Sequence, residues 1–109
     1  MQFQLGAALL QTCVLAILSR QDAYGYHLTQ QVQQVMTISE SSLYPVLRRL
    51  EKELCLTTYD QPVDGRNRRY YSITEKGRTL CDQYRTQWQQ YKDKVDSILN
   101  SNQKEEEQQ

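Results

Sequence analysis

The sequence predicts a mainly α-helical chain with one small β-hairpin, and three observations predict it. Three segments before residue 55 carry apolar residues at helical spacing. Residues 56–73 switch to β-branched and aromatic runs around Pro62 and Asp64-Gly65, which are turn signals. From residue 74 to about 101 helical spacing returns, with no proline to interrupt it.

The first segment, "LGAALLQTCVLAIL" (5–18), places Leu5, Ala8, Leu9, Val14, Leu15 and Leu18 on most sides of a helix. Such a helix needs cover from more than one direction, and in a small chain part of it is expected from a second subunit. Gln11 and Thr12 interrupt the run, which is too short to span a bilayer and lacks a basic start or a small-residue cleavage site. Asp22 and Gly25 mark a break. Leu28, Val32 and Val35 then recur at i, i+4 and i+7, predicting a second helix over about 25–36.

In the third segment Leu43, Val46, Leu47, Leu50 and Leu54 fall within a narrow arc, while Ser41, Tyr44, Pro45, Arg48 and Lys52 point away. Pro45 is tolerated only near a helix start, so a cap at Ser39, Ser41 or Ser42 is implied. The serines have two readings of equal weight, as caps or as contact groups. In the hairpin, "LTTYD" and "RRYYSI" flank "QPVDGRN", with Arg66, Arg68 and Arg69 toward the tip. Tyr70 and Tyr71 must face opposite sides, one in the core and one out. Thr74 is a cap for the last helix, in which Gly77 is the weak point. Along it Tyr84, Trp88, Tyr91, Val95 and Ile98 follow a four-three-four-three seam that asks for a partner. The tail "SNQKEEEQQ" is acidic and has no apolar anchor, so disorder or frayed helix is expected.

At 109 residues there is room for one domain. The formal net charge is zero, so any pull on a polyanion must come from a local patch. Cys13, Cys55 and Cys81 are odd in number and form no C-x-x-C pair, which argues against a disulfide framework and a zinc site and fits a reducing cytoplasm. They are either inert core residues or, if exposed, oxidant sensors. His27 is the only histidine and has no nucleophile or carboxylate at a recognised spacing. With no Gly-rich phosphate loop and no metal-ligand cluster, no enzyme, cofactor or metal is expected.

Helix, helix, helix, hairpin is the order of a winged helix-turn-helix, whose third helix enters the DNA major groove while the hairpin lies along the backbone. Ser41 and Ser42 would then offer amides and hydroxyls to a phosphate. Tyr44 and Arg48, with Lys52 or Arg49 beside them, would line the groove-facing side. Arg66, Arg68 and Arg69 suit phosphate or minor-groove contact; the bland alternative is a solvated charged turn.

"YGYHL" (24–28), "SSLYPVLRRLEKE" (41–53), "GRNRRYYSITEKG" (65–77) and Trp88 resemble the PadR family of bacterial transcriptional regulators, over about residues 8–99. The spacing from Gly77 to Trp88 is similar to that of the short branch with one C-terminal helix, to which multidrug-sensing repressors belong. The resemblance implies a winged helix-turn-helix over 1–73, a dimerisation helix over 74–101 and a tail over 102–109. It further implies a cytoplasmic homodimeric repressor on a palindromic operator, released by a small molecule or stress signal. Ser42, Tyr44 and Pro45 would open the recognition helix, Gly65–Arg69 would form the wing, and Tyr24 and Tyr26 would set the second helix on the DNA backbone. Trp88 would line an interface pore where planar aromatic ligands stack; alternatively Tyr84, Trp88 and Tyr91 simply hold the dimer together. The other function class weighed is a winged-helix protein-interaction module whose arginine tip meets an acidic protein. One departure stands out: where the family has glycine after "LEKE", this chain has Leu54, so the left-handed helix stop must be supplied otherwise.

Overall fold

The structure, a computed structural model, describes residues 6–101. Its elements are α1 (Ala7–Leu18), β1 (Ala23–Tyr24), α2 (Gly25–Val32), α3 (Glu40–Lys52), β2 (Leu56–Val63), β3 (Arg66–Ile73) and α4 (Glu75–Leu99). The three strands form one antiparallel sheet in the order β1-β3-β2. Leu5 and the acidic tail 102–109 lie outside the described residues.

The core is made where the predicted apolar stripes converge. Val14 and Leu15 of α1, Leu28 and Val32 of α2, Leu47 and Leu50 of α3 and Leu56 at the start of β2 are all essentially inaccessible. Tyr71 and Ile73 close the core from β3. Tyr70, on the opposite face, stacks on Tyr59 at 5.4 Å and meets Tyr24 edge-on at 5.5 Å. That settles which of the two tyrosines is internal.

Three features differ from the sequence reading. The second helix stops at Val32, and Val35 is 68% exposed. After Val32 the chain tightens into i→i+3 bonds, Gln34 N to Gln31 O and Val35 N to Val32 O, which turn Val35 off the stripe. Met36 and Ile38 pack on the core in its place. The hairpin turn is only Asp64-Gly65, at φ 51° and 79°, as a two-residue type I′ turn demands. Pro62 therefore lies within β2, tolerated because β2 is an edge strand. The third difference is β1, a two-residue strand too short to show any periodicity.

Helix α3 ends in a Schellman motif: Cys55 N donates to Leu50 O at 2.8 Å and Leu54 N to Glu51 O at 3.0 Å. Leu54 itself takes the left-handed conformation, at φ 65°, where the family pattern has glycine. The helix stop is kept, at a strain of about 1–2 kcal/mol. This corner is tied to the start of α4. Thr74 Oγ1 donates to Leu54 O and accepts from Gly77 N, and Lys76 Nζ donates to Glu53 O. Gly77 lies so close to the Cys55 carbonyl that a Cβ there would overlap it and would sit 2.7 Å from Ile73 Cγ1. What the sequence shows as a weak point of α4 is where the helix packs tightly on the Cys55 carbonyl and Ile73.

Candidate nucleic-acid interface

Ser39 caps α3, its hydroxyl accepting from Ser42 N at 3.2 Å, which leaves Ser41 and Ser42 in the first turn with exposed side chains. Glu40 also lies in that turn, where the helix dipole favours a carboxylate. Pro45 sits in the second turn and denies the Ser41 carbonyl its intrahelical donor. Tyr44 is half-exposed. Its hydroxyl donates to Glu40 Oε1 at 2.8 Å, and this bond, with burial, holds the phenol above its ordinary pKa and keeps it a donor. Arg48 is exposed one turn further on.

Tyr44 also joins α3 to α2. A Cβ on Gly25 would lie 2.9 Å from the Tyr44 hydroxyl and 3.3 Å from its ring, so glycine is what lets the two helix starts touch. Next to Gly25, Tyr26 is exposed, and Tyr24 reaches the wing: the Arg68 guanidinium stacks over the Tyr24 ring at 4.9 Å. Thus contacts run from Tyr44 of α3 through Gly25 and its neighbour Tyr24 to Arg68 of β3, and Ser41, Ser42, Arg48 and Tyr26 are exposed on the same elements.

The wing arginines do not act as one cluster. Along β3 side chains alternate, so Arg66 and Arg68 share the face of Tyr70, whereas Arg69 shares the face of Tyr71. Arg69 lies 3.9 Å from Asp60 across the hairpin. Burial raises the Tyr71 hydroxyl, while Arg69 from the wing and Arg48 from α3 both pull it down. Gly65 and Arg66 form the exposed tip.

Between them, α1 and α4 flank an open cleft of about 390 Å³ lined by Ala8, Leu9, Thr12, Tyr84, Gln87, Trp88 and Tyr91. Trp88 and Tyr91 stack with centroids 6.1 Å apart. Beyond them α4 leaves Ile98 and Leu99 more than two-thirds exposed, with Val95 half-buried between. Of the seam seen in the sequence, Tyr84 packs against the core, while Tyr91 and Ile98 are uncovered.

Sequence reasoning missed Glu40, which holds Tyr44, and Asp22, which accepts from the Tyr59 hydroxyl at 2.7 Å. It also missed Gln11, which joins Tyr84 to Arg49. The i, i+4 spacing of Glu40 and Tyr44 was a usable signal; the other two are contacts at long range. Cys55 and Cys81 are buried and Cys13 half-buried, and burial raises all three thiols, disfavouring the reactive thiolate. Among the described residues no group of His, Cys, Asp or Glu could hold a metal, and no helix is long and apolar enough to cross a membrane.

Known proteins share this architecture. Transcriptional regulator Rv3488 of Mycobacterium tuberculosis is 37% identical over 65 residues, 59% of this chain and 61% of that one. A protein of Lysinibacillus sphaericus is 32% identical over 95 residues, 83% and 87% of the two chains. Among solved structures, smu.1704 from Streptococcus mutans superposes with a TM-score of 0.88 at 38% identity, covering 92% of this chain and 94% of that one. A PadR-like transcriptional regulator from Bacillus cereus gives 0.78 at 31% identity, covering 84% and 91%. Residues 14–83 match the family described as the transcriptional regulator PadR-like family, and with these likenesses the chain belongs to it.

Proposed function

We propose that this chain is a repressor that binds a palindromic operator as a homodimer in the bacterial cytoplasm, and that a planar aromatic ligand in the α1–α4 cleft releases it. Residues 1–73 serve as the DNA-binding unit, 74–101 as the dimerisation helix and 102–109 as an acidic tail. The observation that carries the reading is the chain of contacts from Tyr44 through Gly25 and Tyr24 to Arg68, with Ser41, Ser42, Pro45, Arg48 and Tyr26 exposed on the elements it joins. It supplies amides, hydroxyls and guanidinium groups, the types that fix a protein on phosphates and read base edges. Gly65, Arg66 and Arg69 extend it along the hairpin. Tyr84, Trp88, Tyr91, Val95 and Ile98 face the second copy, whose twofold axis makes the operator palindromic.

The test is selection from a random duplex library at about physiological salt, since affinity without a stated salt concentration means little. Enrichment of a twofold-symmetric site over random duplex by about a thousandfold or more is expected. Weak, sequence-blind, salt-sensitive binding would instead favour a protein-interaction module. Trp88→Ala in a chain that remains dimeric should abolish binding of planar aromatic compounds, read by calorimetry because Trp88 is the only tryptophan; unchanged affinity would remove the ligand from the reading.

A further inference from the structure

Gln11 stands at the centre of a side-chain bridge between three helices. With its amide turned so that the oxygen faces the guanidinium, Gln11 accepts from Arg49 Nε at 3.1 Å and from Arg49 Nη2, and its nitrogen donates to the Tyr84 hydroxyl at 3.2 Å; turned the other way, it accepts from that hydroxyl instead. The opposite amide orientation would set an NH2 against a guanidinium, donor against donor, so the network fixes the side chain. Arg49 belongs to the last turn of α3, and Tyr84 lines the cleft beside Trp88.

The backbone does not provide this connection directly. Helix α1 packs mainly on α4 and α2, while α3 packs mainly on β2 and α2. Arg49–Gln11–Tyr84 therefore runs from the cleft to α3 through polar groups at the edge of the core, with Gln11 and Tyr84 half-buried and Arg49 exposed. Its bond to the guanidinium is charge-assisted and directional, so a small shift of the amide is felt at Arg49.

We propose that Gln11 and Arg49 are positioning residues that couple occupancy of the α1–α4 cleft to the setting of α3, an inference that rests on the DNA-binding reading above. A planar molecule packed on Tyr84, or competing for its hydroxyl, draws the Gln11 amide away from Arg49. The guanidinium is released, and α3 loses its tie to α1 and α4. Arg49, which the sequence places beside the groove-facing side, thus acts from behind the recognition helix.

The experiment uses the full chain and anilinonaphthalene sulfonate, an anionic planar probe that duplex DNA repels, with Trp88 quenching as the binding signal. Two quantities are read: the NMR signal of the Arg49 side-chain Nε–H without DNA, and duplex affinity with and without probe. In the parent the probe should move the Arg49 signal and weaken duplex binding by about 5–150-fold, the usual range of coupling between sites. Gln11→Met should bind the probe within about threefold of the parent, yet show a still Arg49 signal and a coupling factor near one. Tyr84→Phe, which removes the hydroxyl from the other end, should at saturating probe likewise show a still Arg49 signal and a coupling factor near one, whatever its own probe affinity, even if Gln11→Met folds poorly. Gln11→Glu should retain coupling, because a carboxylate accepts from both Arg49 and the Tyr84 hydroxyl. A parent that fails to bind the probe, an Arg49 signal indifferent to it, or an undiminished coupling factor in both Gln11→Met and Tyr84→Phe would overturn the proposal. A responsive Arg49 signal in a protein that binds no duplex would uphold the relay and overturn the DNA-binding reading alone.

Discussion

Helices α3 and α4 are both amphipathic, and they dispose of their apolar faces in opposite ways. The stripe of α3 is consumed by its own chain: Leu43, Leu47 and Leu50 are no more than 1% exposed. That of α4 is covered only in its first turns, where Gly77 and Cys81 are buried; further on, Tyr91 is 54% and Ile98 73% exposed. A helix whose apolar side is satisfied presents its polar side as a working surface. One whose apolar side is bare presents an assembly surface. The proposed division of labour between reading DNA and pairing subunits rests on that contrast.

The sharpest way to break the comparison is to charge the bare face. Tyr91→Glu with Ile98→Glu should convert the dimer to a monomer in sedimentation, leaving the circular dichroism of the remaining helices and sheet in place. Losing one of two linked half-sites should lower operator affinity by about 100-fold or more. A double variant that still sediments as a dimer would mean that the distal part of α4 is not the assembly surface.

The next effect belongs to the wing. Arg66, Arg68 and Arg69 changed together to alanine should weaken duplex binding and reduce the slope of log affinity against log salt by up to about 3, roughly one per phosphate contact. The fold should persist in circular dichroism, because no wing arginine lies in the core, with a small fall in melting temperature from the lost Arg68–Tyr24 stacking. Binding as tight as the parent's would leave α3 alone as the docking element. If the Arg69 single variant weakens binding as much as Arg66 does, the Tyr71 side of the hairpin faces DNA together with Arg48.

Much of this was legible in the sequence, for identifiable reasons. The α3 stripe and the α4 seam are periodic, and periodicity survives without coordinates. Asp64-Gly65 locates its own turn. Other features depend on pairings that no periodicity records. Ala23 and Tyr24 become a strand only because Tyr71 and Tyr70 lie opposite them. Gly25 matters because Tyr44 rests on it, and Gln11 because two side chains from distant segments converge there. The separation of the wing arginines was readable from strand alternation alone, once the strand is taken to include Arg66.

Within α4 the comparison can be sharpened by separating its covered start from its bare end. Gly77→Ala would drive a Cβ into the Cys55 carbonyl and Ile73, neither of which can move freely. Overpacking of this kind costs about 1–3 kcal/mol, a fall in melting temperature of about 4–8 °C per kcal/mol for a domain of this size. The loss should appear equally at low and high protein concentration, since the contact lies within one chain. A concentration-dependent loss would show that the start of α4 also takes part in assembly.

The smallest expected effect runs in the stabilising direction and concerns the end of α3. Leu54 holds a left-handed conformation that glycine adopts without strain, and its side chain is 69% exposed, so little packing is lost on removing it. Against the relief of about 1–2 kcal/mol stands the greater freedom of glycine in the unfolded chain, about 0.4–1 kcal/mol. Leu54→Gly should therefore raise stability by about 0.5–1 kcal/mol, measured by urea unfolding with an unchanged m-value. The Schellman bonds of Leu54 and Cys55 use backbone atoms only and persist in the variant. If stability falls instead, and falls most at high concentration, the exposed leucine is covered by another copy of the chain. Strain at the end of α3 would then serve assembly, and the contrast between a reading helix and a pairing helix would no longer hold at that corner.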